Sequence, residues 1–216
     1  IAQKSITIVK DNSSQLPLIV ENIDSLAHII LSLDDGARNY LRNFSSDIHK
    51  THGHVKDIFI NNPLTNLGIQ DILNQLDGIN QVVISLLVRI RMDKGISTID
   101  STHAQLLRDI RNKGLPIIVF SFGSPYLPSY SILDTYVCTF GYGSITMQAA
   151  ADALFGRESI NGKLPVQLNE NYLRGTGVMK NKRSNPWGES LNLDFPNAWE
   201  VLRQGISEKI FPGAQV

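Results

Sequence analysis

A three-layer α/β/α sandwich around a mostly parallel sheet of about five to six strands is the fold this sequence predicts. Three observations predict it. Strand-like and helix-like segments alternate along residues 5–168 with short connections. The runs INQVVISLLV (79–88) and LPIIVFSF (115–122) are almost wholly apolar, as strands covered on both faces are. The segments between them repeat apolar residues at helical spacing.

Taken in order, SITIVK (5–10) reads as a short strand and SLAHIILS (25–32) as a second. The stretch DDGARNYLRNF (34–44) reads as a helix, with Asp34 and Asp35 suited to capping its start. VKDIFI (55–60) is the next strand. A helix over 65–77 aligns Ile69, Ile72, Leu73 and Leu76, and Gly78 suits the residue just past its end. After strand 79–88, a helix over 100–113 aligns His103, Leu106, Leu107 and Ile110, and Gly114 stops it. DTYVCTF (134–140) follows strand 115–122. The small-residue helix SITMQAAADALF (144–155) ends at Gly156 in a left-handed turn. KLPVQL (163–168) reads as the last strand, with Pro165 at an edge or a strand start. Beyond residue 168 the period is lost, and residues 169–196 read as a linker or wrapping segment. NAWEVLRQGISEKI (197–210) reads as a helix with Trp199, Leu202, Ile206 and Ile210 on one stripe.

The chain has 216 residues, 42% hydrophobic and 19% charged, an ordinary globular composition. Its 20 basic and 20 acidic residues balance, so nothing calls for nucleic acid or an acidic membrane surface. The single cysteine, Cys138, lies in TYVCTF and reads as a buried strand residue rather than a nucleophile. The apolar run VVISLLV falls well short of the roughly 20 residues a membrane helix needs. The chain opens on Ile1 with neither a start methionine nor a signal peptide, so it is expected to be a piece of a longer protein.

Several stretches have the chemistry of a site. Gly141-Tyr142-Gly143 joins a strand to a helix, where a phosphate-cradling turn belongs, but Thr146 stands at the third glycine position. A tight turn is the preferred reading and a Rossmann-like or flavodoxin-like nucleotide module the alternative. His49, His52 and His54 are dense enough for zinc but have no cysteine beside them, and no metal or other cofactor is expected. His28 and His103 sit on apolar elements and read as satisfied core residues. Serine-hydrolase and phosphate-loop motifs are absent. Open sheets place ligands at the carboxyl ends of their strands. There RIRMDKG (89–95) supplies Arg89, Arg91, Asp93 and Lys94 but no glutamate. Arg89 and Arg91 are the candidate substrate-binding or interdomain residues. A glycosidase needs two carboxylates about 5–10 Å apart or a substitute for one, and no such pair is evident.

Three segments together resemble the second domain of glycoside hydrolase family 3: SITIVKDNSSQLPL (5–18), IIVFSFGSPYLPSY (117–130) and ALFGRESINGKLPVQL (153–168). ISEKIFPGAQV (206–216) resembles the opening of a penicillin-binding-protein-like serine hydrolase domain. The resemblances imply an α/β domain over residues 1–168, a linker over 169–196 and a truncated hydrolase start over 197–216. They imply a parent that is a retaining β-glycosidase, with an upstream barrel and a downstream hydrolase domain as partners in one chain, and a periplasmic or extracellular setting. The family's nucleophile lies on the barrel. Its β-glucosidase-like members take a glutamate from the loop matching RIRMDKG, whereas its N-acetylglucosaminidase-like members use a barrel histidine paired with an aspartate. The missing glutamate favours the second branch, or a purely structural connector. His52-Gly53-His54 lacks the pattern around the barrel histidine. No catalytic residue is expected in this chain.

Overall fold

The computed structural model describes residues 2–32, 36–60, 62–90 and 98–184. Strands β1 (Thr7–Asp11), β2 (Leu26–Leu31), β3 (Val55–Ile60), β4 (Gln81–Val88), β5 (Ile117–Gly123) and β6 (Thr135–Cys138) form a six-stranded sheet in the order β1-β6-β5-β4-β2-β3. The neighbours are parallel except β1, which runs antiparallel to β6 at one edge. The expected α/β sandwich is therefore the fold observed. From β2 the chain steps outward to β3, then returns across the sheet to β4, β5 and β6. The strand order thus reverses between β2 and β4.

Side-chain alternation explains why the central strands are apolar throughout. Val82, Ile84, Leu86 and Val88 of β4 face a core shared with α4 (Asn66–Gln75) and α5 (Ser101–Asn112), through Ile69, Ile72, Leu106 and Ile110. Val83 and Leu87 face the other core, shared with α2 (Ala37–Tyr40), α3 (Arg42–Thr51) and α6 (Ser144–Phe155). A strand with helices on both faces has no solvent side to leave polar. Thr65 and Asp100 cap α4 and α5 by accepting from Gly68 N (3.1 Å) and His103 N (2.8 Å). Gly156 ends α6 with φ +69, and a Cβ there would stand 2.6 Å from Pro17 Cβ. Both backbone conformation and space thus require glycine. A short helix, α1 (Ala2–Ser5), precedes β1.

Three expectations are corrected. The helix after β2 runs on to Thr51, bending at Leu41 (φ −94, ψ 7) where α2 meets α3. Buried Leu41, Phe44 and Ile48 carry its apolar stripe, so His49 lies on a helix. Strand β6 stops at Cys138 because the chain turns there. Thr139 Oγ1 donates to Ser121 O (3.1 Å) and Gly141 O (2.8 Å), and Phe140 takes φ +57.

The third correction is that KLPVQL forms no strand. The chain after α6 crosses over β1 so closely that a Cβ on Gly162 would stand 2.1 Å from Ile6 O. Leu164 is buried there as a single anchor. The chain then doubles back, and Val178 donates to Ile8 O (2.8 Å) as one isolated bridge on β1. Ile160 and Lys180 bridge in both directions, at 2.8 and 3.0 Å. Lys180 Nζ meets the buried Asp11 carboxylate at 2.8 Å. The outer edge of β1 is thus occupied by single contacts and not by a ladder. The expected helix 197–210, Asp34, Asp35 and Arg91 lie outside the described residues. No helix among the described residues is long and apolar enough to cross a membrane.

Candidate functional site

The reversal between β2 and β4 puts the carboxyl ends of these strands where a ligand crevice forms in open parallel sheets. Arg89 leaves β4 at that place. Its guanidinium lies 5.2 Å from the Tyr40 ring centre and 5.8 Å from that of Tyr142, and it donates to Tyr40 Oη at 3.3 Å. The two rings meet edge to face at 5.4 Å. Tyr40 ends α2 and Tyr142 belongs to the turn after β6, so three separate elements converge on one arginine. Each cation–π contact contributes about 0.5–1 kcal/mol at an exposed site. The segments leaving the carboxyl ends of β4, β5 and β6 also expose apolar groups: Ile90 (59%), Tyr126 (39%) and Ile145 (75%).

The Gly141–Gly143 turn is tight. Gly143 opens α6 without a side-chain cap, and Tyr142 is directed to Arg89 and Tyr40. Gly123 closes β5 at φ +97, where a Cβ would stand 2.5 Å from Val88 O. Only glycine lets Ser124 N reach that carbonyl, at 2.9 Å. In the turn that follows, Tyr126 is exposed and anchors nothing. The anchors are Tyr130 and Tyr136, which both donate to Pro125 O, at 3.0 and 2.7 Å. Burial pushes the Tyr130 phenol up to about 12.

On the described part of the loop after β4, the carboxylate present is Asp100. Burial pushes its carboxyl up, but hydrogen bonds from His103 N and Thr102 outweigh this and hold it below the usual range. It caps α5, and among the described residues no second carboxylate is paired with it. Cys138 is buried, and burial pushes its thiol up to about 12, which keeps it protonated and unreactive.

A second polar cluster escaped sequence reading. Fully buried His28 on β2 directs Nε2 to Ser85 Oγ (2.8 Å) and Nδ1 toward Asp57 Oδ1 (3.4 Å). Asp57 Oδ2 meets His49 Nε2 (3.0 Å) and accepts from Ser45 Oγ (3.2 Å). Burial pushes Asp57 up, yet the hydrogen bonds and charges of His28 and His49 bring it down to about 2. Burial holds His28 below its usual value. Ser85 is fully buried in mid-sheet, so this Ser-His-Asp series satisfies a buried histidine and is no hydrolase triad. α3 and β3 are consecutive in sequence, but β2 and β4 lie well before and after them. Only the register, which sets His28 beside Asp57, joins them. The dense histidines do not converge: His49 turns to Asp57, whereas buried His52 meets Ile23 O at 2.8 Å. No cluster able to hold a metal occurs among the described residues. His103 is buried with Nε2 on Asn62 O (3.1 Å), as expected of a core histidine.

No family model and no curated protein matches the chain. Solved structures do. A β-glucosidase from Listeria innocua in complex with isofagomine is similar with a TM-score of 0.62 at 16% identity, over 78% of this chain and 26% of that one. A family 3 β-N-acetylglucosaminidase from Paenibacillus sp. gives 0.55 at 15% identity, over 82% of this chain and 32% of that one. A family 3 exo-β-xylosidase in complex with a xylobiose aziridine probe gives 0.59 at 16% identity, over 82% and 28%. The chain thus spans between about a quarter and a third of their length. At these identities the likeness is one of fold, and that fold is one that glycoside hydrolases of family 3 contain.

Proposed function

We propose that this chain is an accessory domain of a retaining β-glycosidase, N-acetylglucosaminidase-like in preference to glucosidase-like. In this reading a barrel outside the chain carries the chemistry and a serine hydrolase-like domain follows. The parent works in the periplasm or outside the cell and needs no cofactor. The observation that carries the proposal is the Tyr40–Arg89–Tyr142 cluster at the strand-order reversal, beside exposed Ile90, Tyr126 and Ile145. An arginine held rigid between aromatic rings, next to apolar surface, suits contact with a second domain or a sugar. Asp100, the carboxylate described nearby, serves as a helix cap, which agrees with chemistry located elsewhere.

The test is hydrolysis of chromogenic β-N-acetylglucosaminide and β-glucoside by this chain and by the full-length parent. The expected result is an inactive chain and a parent that prefers the acetylated sugar. Arg89→Ala and Arg91→Ala in the parent raise KM if these residues border the sugar. Unchanged kinetics in both variants assign the domain a purely connecting role. Turnover by the chain alone overturns the reading.

A further inference from the structure

A cavity of about 510 Å³ opens between α2–α3 and β3, lined by Arg38, Arg42, Ser45, His49, Asp57 and Phe59 among others. Residues 38, 42, 45 and 49 recur at helical spacing, so the helical wall presents one continuous polar stripe. Several cations elsewhere on the described surface are paired with carboxylates. Arg111 meets Asp134 at 3.1 Å, Lys113 meets Asp77 at 2.7 Å and Arg183 meets Glu21 at 3.5 Å. The two arginines of the cavity are not matched in this way. Arg38 stands 5.7 Å over the Phe59 ring, and Arg42 donates to the neutral Asn39 amide at 3.1 Å. Among the described residues neither has a carboxylate within ion-pair distance.

The carboxylate of the cavity, Asp57, is already engaged. One oxygen meets His49 and Ser45, and the other is turned toward His28. The cavity therefore has a cationic end, with two guanidinium forks set against one satisfied aspartate. Its other end offers hydroxyls and an imidazole. The volume suits a small ligand and not a polymer core. Guanidinium forks match the oxygens of phosphate and carboxylate groups.

We propose that this groove binds an anionic sugar, its phosphate or carboxylate group on Arg38 and Arg42 and its hydroxyls toward Ser45, Ser46 and His49. The proposal is independent of the accessory role above. The test is a titration of the 216-residue chain, followed by amide NMR at low ionic strength, with glucose 6-phosphate, glucuronate and glucose. The anions shift resonances of residues 37–49 and 57–59, glucose does not, and added salt weakens the effect. Glucose 6-phosphate acting alone identifies a phosphate site, and glucuronate acting alone a carboxylate site. The Arg38→Ala/Arg42→Ala double variant retains its Tm, because both side chains are exposed, and loses at least about tenfold in affinity. The proposal is overturned if neither anion shifts these resonances at about 10 mM. Equal shifts from glucose overturn it as well, and so does wild-type affinity in the double variant.

Discussion

Replacing Gly162 with alanine tests the close crossing that closes the edge of the sheet. The new Cβ would lie 2.1 Å from Ile6 O and 2.7 Å from both Ile6 C and Thr7 Oγ1, against ordinary contacts of 3.4–4 Å. The atoms met first are backbone, so no side chain can swing aside and the two passes of chain must part by more than about 1 Å. A third pass lies on top, since a Cβ on Gly177 would meet Gly162 O at 2.3 Å. Parting them strains Val178 N to Ile8 O and the Ile160–Lys180 pair. Overpacking costs about 1–3 kcal/mol and each lost hydrogen bond about 1 kcal/mol, so the expected loss is about 3 kcal/mol. That lowers Tm by about 6–12 °C for a chain of this size. Urea unfolding reads it directly. Gly53→Ala is the control, because nothing stands within 4 Å of a Cβ there, and it stays within about 0.5 kcal/mol of the parent. A Gly162→Ala loss no larger than that of the control refutes the crossing.

Other outcomes follow from buried groups. Asp57 falls from its usual 3.8 to about 2 on folding, so its contribution is complete above pH 3.8 and is lost as pH drops toward 2. The full difference would be about 2.4 kcal/mol. With the side chain 36% exposed, solvent screening leaves about 1 kcal/mol. Urea midpoints measured between pH 4 and 2 should flatten in Asp57→Asn, and an unaltered profile contradicts this. His28 has its pKa lowered by burial, so the unfolded chain takes up the proton first and stability declines as pH falls below about 6.5. His28→Gln reduces that slope between pH 7.5 and 5.5, and an equal slope in the variant rules the assignment out. Cys138, with its thiol near 12, should resist a disulfide reagent at pH 8 until denaturant is added; rapid native labelling disproves its burial. Nucleotides are expected to leave Tm unchanged. A ligand at 100 times its Kd adds about 2.7 kcal/mol, so a rise of several degrees would make Gly141–Gly143 a binding turn after all.

The central strands were legible because burial on both faces leaves one pattern, unbroken apolar sequence, as in VVISLLV. Gly78, Gly114 and Gly156 were legible as stops because only left-handed backbone explains a glycine there, and all three have positive φ. KLPVQL misled because alternating Leu164, Val166 and Leu168 imitates a strand. In the fold only Leu164 is buried, and Val166 is 37% exposed. The histidine cluster near residue 50 drew attention from Leu41, Phe44 and Ile48, whose spacing extends the helix through it. Arg89 could be named from its place after a strand, but its tyrosine partners come from residues 40 and 142, which no local pattern links. The His28–Asp57 contact, set by the pairing of β2 with β3, was beyond local reading for the same reason.

The antiparallel edge strand also sets a timetable for synthesis. Thr135 Oγ1 reaches back across 124 residues to Asp11. At about 5–20 residues per second, β1 waits about 6–25 s on the ribosome for its neighbour β6. During that interval an apolar segment, Ile6 to Val9, has no sheet to join. The charges of Lys10 and Asp11 beside it are the kind of guard that keeps such a strand from pairing with another nascent chain.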